Sequence, residues 1–237
     1  MKKQLSSFMA LAVVLAVALT SCRKDDNPGK NDNNTGTGQN DNSDNNGGGG
    51  GSNPPPTGDP GVVIGGIRWA TRNVDAPHTF AATLQDPGMF YQWNSPIGWS
   101  ATDPMVDSNG STLWLSSWFG NNASSWQSAN DPCPAGWRVP TNVELQALYL
   151  AGSGWTTTPA PGRVFGSGSN TIFLTAAGYR HNWNGALDLV DSFGYYWSAT
   201  AWGDDYSYCL DLGNSSYATS VDEDDRAMGF HVRCVAK

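Results

Sequence analysis

The stretch Asp131–Leu148, DPCPAGWRVPTNVELQAL, holds the clearest structural signal in this 237-residue chain. Thr141 and Glu144 stand at the spacing of a capping box, in which each side chain satisfies a backbone N–H of the other residue. Gly152 supplies the stop. Val143, Leu145, Leu148 and Tyr149 recur at helical spacing and are expected to form the buried stripe. The pattern predicts one helix, with Cys133 just ahead of it.

Around this helix the strand signals are short and scattered. They are GVVIGGIRWATRNV from Gly61, GMFYQW from Gly88, TIFLTAAGYR from Thr171, YYWSATAW from Tyr195, YSYCLDLG from Tyr206, YATSV from Tyr217 and MGFHVRCV from Met228. Aromatic and β-branched runs broken by Gly, Asn, Asp and Ser suit antiparallel strands joined by long loops. The expected class is α+β, mostly strands and loops with at least one helix.

The composition changes sharply at residue 61. All eleven Trp lie in 61–237, a length that suits one domain. Residues 23–60 contain no aromatic and no branched aliphatic side chain. Such a segment cannot bury enough apolar surface to offset ordering, so it is expected to be a disordered linker, with Pro54–Pro56 as a stiffer end. Its root-mean-square reach as a coil is roughly 34 Å.

Residues 1–21 carry Lys2 and Lys3 and the apolar run Phe8–Leu19, the pattern of an export signal too short to span a bilayer. Leu-Thr-Ser-Cys, ending at Cys22, resembles the lipobox of bacterial lipoproteins. That resemblance implies an acylated Cys22 that anchors residues 22–60 and the domain behind them. Lys24-Asp25-Asp26 is similar to the export address that Bacteroidota use for lipoproteins on the outer face of the outer membrane. The expected location is therefore the outer membrane, lipid-anchored and facing outward.

The net charge is -8 and only 14% of residues are charged. An acidic chain lacks the Lys/Arg surface that neutralises phosphate, so no nucleic-acid partner is expected and contact with membrane is through the lipid alone. With Cys22 consumed by lipid, three cysteines remain. Cys133 and Cys234 are the favoured bridge, while Cys209 reads as a buried small hydrophobe or as a competitor for Cys234.

The series IGGIRWATRNV, FYQWN, DPCPAGWRVPTNVELQAL, AAGYRHNWNGALDL, GYYWSAT and RAMGFHVRCV resembles the Fibrobacter succinogenes major paralogous domain, a family of surface lipoproteins. The resemblance covers nearly all of 61–237 and implies a C-type-lectin-like fold, with no agreed activity attached. It implies that Gly136-Trp137-Arg138, Gly178-Tyr179-Arg180, Tyr196-Trp197-Ser198, Gly229-Phe230 and Arg233 are frame. Arginines among aromatics are expected to join internal networks rather than to bind an anion.

Candidate ligand residues lie in two loops: Trp183, Asn184 and Asp188 in one, and Trp202, Asp204, Asp205 and Tyr206 in the other. Flat rings beside amide and carboxylate acceptors suit sugars and also protein interfaces. Asp222, Glu223, Asp224 and Asp225 form a carboxylate run, read as a solvated turn with a calcium site as the alternative. No cofactor is otherwise expected. No nucleophile elbow, zinc-binding helix or phosphate loop is present in the sequence. A pair of reactive cysteines for a formylglycine-type oxidase would leave Cys133 unpaired.

The expected function is a non-catalytic surface module that binds a glycan or a protein. The alternatives are a structural or assembly component, such as a fimbrial-tip or outer-membrane accessory subunit, and an enzyme with an unrecognised site.

Overall fold

The computed structural model describes residues 58–215 and 219–237. Cys22, the segment up to residue 57 that is expected to be a linker, and part of the YATSV run lie outside the described residues. The folded part starts ahead of the compositional boundary. Asp59 is buried, and its carboxylate accepts from the N–H of Gly61 (2.9 Å), the N–H of Thr71 (3.0 Å) and the hydroxyl of Thr71 (2.8 Å).

Strands β1 (Val62–Ile64) and β2 (Ile67–Trp69) form a hairpin turned by Gly65 and Gly66, both at positive φ. Only glycine adopts that backbone without strain. On β2 lies β14 (Val235–Ala236), which pairs in turn with β5 (Trp137–Arg138). The two ends of the domain thus share one sheet in the order β1-β2-β14-β5. Beside it Cys133 and Cys234 form a disulfide, with Cα atoms 6.0 Å apart across 101 residues of sequence. Closing a loop of that length stabilises by up to about 4.7 kcal/mol in the chain-entropy model. Cys209 is free and buried.

Helix α1 (Asn142–Leu150) begins at Thr141 with the full capping box. Glu144 also accepts two bonds from Arg138, at 2.8 and 2.6 Å, so the cap is tied to β5. The helix buries Leu145 and Leu148, whereas Val143 is exposed and does not belong to the buried stripe. Val143 lies within the capping box, between Thr141 and Glu144, and the helical turn of about 100° per residue sets it on the side away from Leu145 and Leu148.

The helix packs on a five-stranded sheet with the order β10-β9-β11-β12-β13. Its strands are β9 (Ala177–Arg180), β10 (Leu187–Val190), β11 (Phe193–Trp202), β12 (Tyr206–Gly213) and β13 (Ser220–Asp225). Neighbours are antiparallel except β9 and β11. A three-stranded meander of β6 (Ser153–Thr156), β7 (Gly162–Ser167) and β8 (Asn170–Thr175) and a small pair of β3 (Phe90–Tyr91) and β4 (Gly98–Trp99) complete an α+β domain.

Two sequence expectations change here. Asp222–Asp225 is not a turn but most of β13, the edge strand, because its residues complete the ladder with Tyr206–Cys209. The MGFHVRCV run becomes a strand only at Val235; Phe230 and His231 make single bridges to Tyr91 and Tyr196 as the chain crosses between sheets.

Two cores result. One joins Trp69, Leu145, Leu148, Phe165, Tyr196, Leu210 and Val235; the other gathers Trp93, Trp126, Trp137, Trp197 and Phe230 around the disulfide. Three arginines are fully buried within this frame. Arg233 donates to the side-chain oxygen of Asn73 and the carbonyls of Ala70 and Phe173, and Arg180 to the carbonyls of Ser100, Thr102 and Gly185. These are internal networks, as a buried guanidinium requires.

Candidate functional site

Strand register assembles the site. Side chains alternate between the two faces of a strand, and directly paired residues share a face. Tyr195 pairs with Asp211, Trp197 with Cys209, Cys209 with Asp222 and Ser207 with Asp224. These residues lie on the face away from α1. On the same side Tyr179 pairs with Asp188 across β9 and β10, and its hydroxyl donates to the Asp188 carboxylate at 3.3 Å.

A row of rings crosses this face. Trp183 stacks on His181 with centroids 4.5 Å apart, and His181 lies 5.9 Å from Tyr179. Tyr179 meets Tyr195 edge-on at 5.2 Å, and Tyr195 is 6.3 Å from Phe193. Phe230 covers the inner end, 4.9 Å from Tyr195 and 4.3 Å from Trp197. The face therefore grades from buried Trp197, Cys209 and Phe230, through half-buried Tyr195, Tyr179, Asp211 and Asp224, to exposed Trp183, Asp188 and Asp222.

The electrostatics of this face are one-sided. Burial pushes the Asp211 carboxyl up to about 7, and the negative charges of Asp224 and Asp222 push in the same direction, against the Cys209 thiol that donates to it at 3.3 Å. Asp224 is pushed up to about 6, first by burial and then by Asp225 and Asp222. Burial and the neighbouring carboxylates also raise the hydroxyls of Tyr179 and Tyr195 and keep the Cys209 thiol protonated. Among the described residues the ion pairs are Arg72–Asp59, Arg138–Glu144 and Arg180–Asp103, so no Arg or Lys neutralises this face. It offers ring surfaces edged by strong acceptors.

Of the residues singled out in the sequence, Trp183 joins the ring row through His181 and Asp188 through Tyr179, with Asp224 near His181 and Tyr179, whereas Asp222 stands on the opposite edge of the sheet beside Cys209. Asn184 instead closes its own turn by accepting from the N–H of Ala186 at 3.0 Å. Trp202 and Tyr206 face each other across the β11–β12 hairpin, edge-on at 6.1 Å, with Asp204 and Asp205 exposed in the turn. The strand alternation of β13 separates Asp222 and Asp224 from Glu223 and Asp225. Among the described residues no group of three or more His, Cys, Asp and Glu is placed to hold a metal ion.

Tyr179 was expected to be frame alone, and His181, Tyr195 and Asp211 were not singled out. The alternation of YYW against CLDL held the signal, since Tyr196 and Leu210 go to the core and Tyr195 and Asp211 go to the opposite side. Two further concavities are present among the described residues. One of about 410 Å³ lies between α1 and Tyr208 and Val221, and one of about 320 Å³ lies among Trp126, Asp131, Arg138 and Lys237. Among the described residues no helix is long and apolar enough to cross a membrane.

No family model, curated protein or solved structure matches the chain.

Proposed function

We propose that this chain is a surface-displayed lipoprotein whose single C-type-lectin-like domain binds a glycan without catalysing a reaction. The observation that carries the reading is Trp183, 69% exposed yet stacked flat on His181 at the head of a ring row edged by carboxylates. An indole held in place by a stacked partner loses little freedom on binding, and its face suits the apolar face of a pyranose. Asp188 and Asp224 accept from sugar hydroxyls beside it. Calcium has no part in this scheme.

The resemblance of the motif series to the Fibrobacter succinogenes major paralogous domain supports the fold assignment, and the lipobox-like sequence at Cys22 supports the anchor. Protein exposed on intact cells would be removed by added protease; protection from it would overturn the outward orientation. A glycan array run with and without chelator tests the ligand class. Binding insensitive to chelator and abolished in Trp183→Ala is the expected result, while no binding in either condition overturns the glycan reading and favours an assembly subunit.

A further inference from the structure

We propose that the sugar held at Trp183 is positively charged: the ligand class is an amino-sugar chain with free ammonium groups, as in β-1,4-linked glucosamine. This rests on the glycan reading above and names its substrate class.

The platform is fixed from beneath. The Asn182 amide donates to the Asp225 carboxylate at 2.8 Å, which turns the Asn182 side-chain oxygen to His181, 2.8 Å from Nδ1. That oxygen accepts, so Nδ1 carries the proton and the bond sets the orientation of the ring. Trp183 stacks on this ring with the two planes 15° apart and most of the indole exposed. An indole face held in this way takes the apolar side of a pyranose, and its negative quadrupole attracts a neighbouring ammonium.

Two carboxylates stand beside the His181–Tyr179 pair. Asp188 is held at both oxygens, by the N–H of Leu189 at 2.8 Å and by the hydroxyl of Tyr179 at 3.3 Å. Tyr179 in turn lies 5.9 Å from His181. Asp224 accepts from the N–H of Asp225 at 2.7 Å and is within electrostatic reach of both His181 and Tyr179. A carboxylate has about four lone-pair sites, so both groups keep acceptor capacity, and neither has to be ordered when a donor arrives.

The basic side chains of the domain are engaged elsewhere. Residues 58–237 hold seven Arg and Lys237. Arg72, Arg138 and Arg180 pair with Asp59, Glu144 and Asp103, and the other four arginines donate to main-chain carbonyls. Lys237 lines the concavity that holds Trp126 and Asp131. Among the described residues the carboxylates of the ring row therefore have no Arg or Lys as counter-ion, and burial with the charges of Asp225 and Asp222 pushes Asp224 up to about 6. An ammonium relieves that repulsion, a neutral sugar leaves it in place and a uronate adds to it.

Titration calorimetry of the full chain with a β-1,4-linked glucosamine oligomer and its N-acetylated counterpart, just below neutral pH, tests the charge. The glucosamine oligomer is expected to bind about ten-fold or more tighter, and the margin should shrink with added salt. Asp188→Asn and Asp224→Asn should each cut the margin by about two- to five-fold and together remove it. The single variants keep the test open should the double variant misfold.

An acetylated oligomer that binds as tightly, a margin insensitive to salt, or a margin intact in both single variants overturns the charged ligand and leaves a Trp183 sugar site standing. Binding of a lysine oligomer as tight as that of the glucosamine oligomer overturns the amino sugar and the glycan reading together. Failure of both sugar oligomers overturns the amino sugar; a bound glycan on the array then keeps the glycan reading, and an empty array overturns it as well.

Discussion

Tyr195 and Tyr196 are adjacent on β11 and face opposite sides of one sheet. Tyr196 is fully buried, and its hydroxyl is 3.0 Å from both the carbonyl and the hydroxyl of Thr175 and 3.4 Å from the Asn73 amide. Arg233, held by the same Asn73, completes a satisfied network on the core side. Tyr195 lies only half-buried, opposite Asp211, with Asp224 near and no cation to balance them. On the α1 side the Tyr196 hydroxyl is satisfied within the frame. The other side packs on the second core through Trp197 and Phe230 and leaves Tyr179, Tyr195, Asp211 and Asp224 half-buried at its margin with no cation beside them, a local cost that the proposed binding surface would explain.

The largest expected contrast comes from deleting core volume. Leu210→Ala removes a fully buried side chain beneath α1 and should cost about 2–5 kcal/mol in denaturant unfolding. Asp211→Asn, at the next position, should cost nothing of that kind; a comparable loss there would make both faces structural. Next in size, Tyr196→Phe strips the partner from Thr175 and Asn73 and should cost about 1–3 kcal/mol. Tyr195→Phe should change stability by less than about 0.5 kcal/mol.

The carboxylates set a pH test of the same contrast. A free aspartate titrates near 3.9, and in the fold Asp211 titrates at about 7 and Asp224 at about 6. The native state therefore holds more protons than the unfolded one between roughly pH 4 and 7. The stabilisation is fully present below about pH 4 and is lost as pH rises through about 7. Asp211→Asn should leave stability unchanged at pH 4 and raise the melting temperature by several degrees at pH 8. A parent protein that melts higher at pH 8 than its Asp211→Asn variant would break this account of the open face.

The smallest effect on stability is expected at Trp183. Trp183→Ala should shift the melting temperature by no more than about 1–2 °C while removing ligand binding. A large drop in melting temperature would mark the indole as part of the core.

Helix α1 was legible because its determinants are local: Thr141, Glu144 and Gly152 act within a few residues of the backbone they satisfy. Its buried stripe was legible only in part, since Leu145 and Leu148 are buried and Val143 is not. The carboxylates of Asp222–Asp225 were misread as a turn because their composition is that of a loop, and only pairing with Tyr206–Cys209 makes them a strand. Trp183 and Trp202 were visible as aromatics in polar loops. Tyr195 and Asp211 were hidden, because a strand sequence shows two faces and does not say which one a helix will cover.

The sequence alone determined the α+β composition, the capped helix, the change of composition at residue 61 and the acidic, lysine-poor character of 61–237. It also made Cys133 and Cys234 the favoured pair, and the fold brings their Cα atoms to 6.0 Å. Tertiary structure alone decided which side of the five-stranded sheet α1 covers, and hence that Tyr179, Tyr195, Asp211 and Asp224 share the other one. Local propensity is fixed by neighbours along the chain; a shared face is fixed by register between strands far apart in it, and that register exists only once the chain has folded.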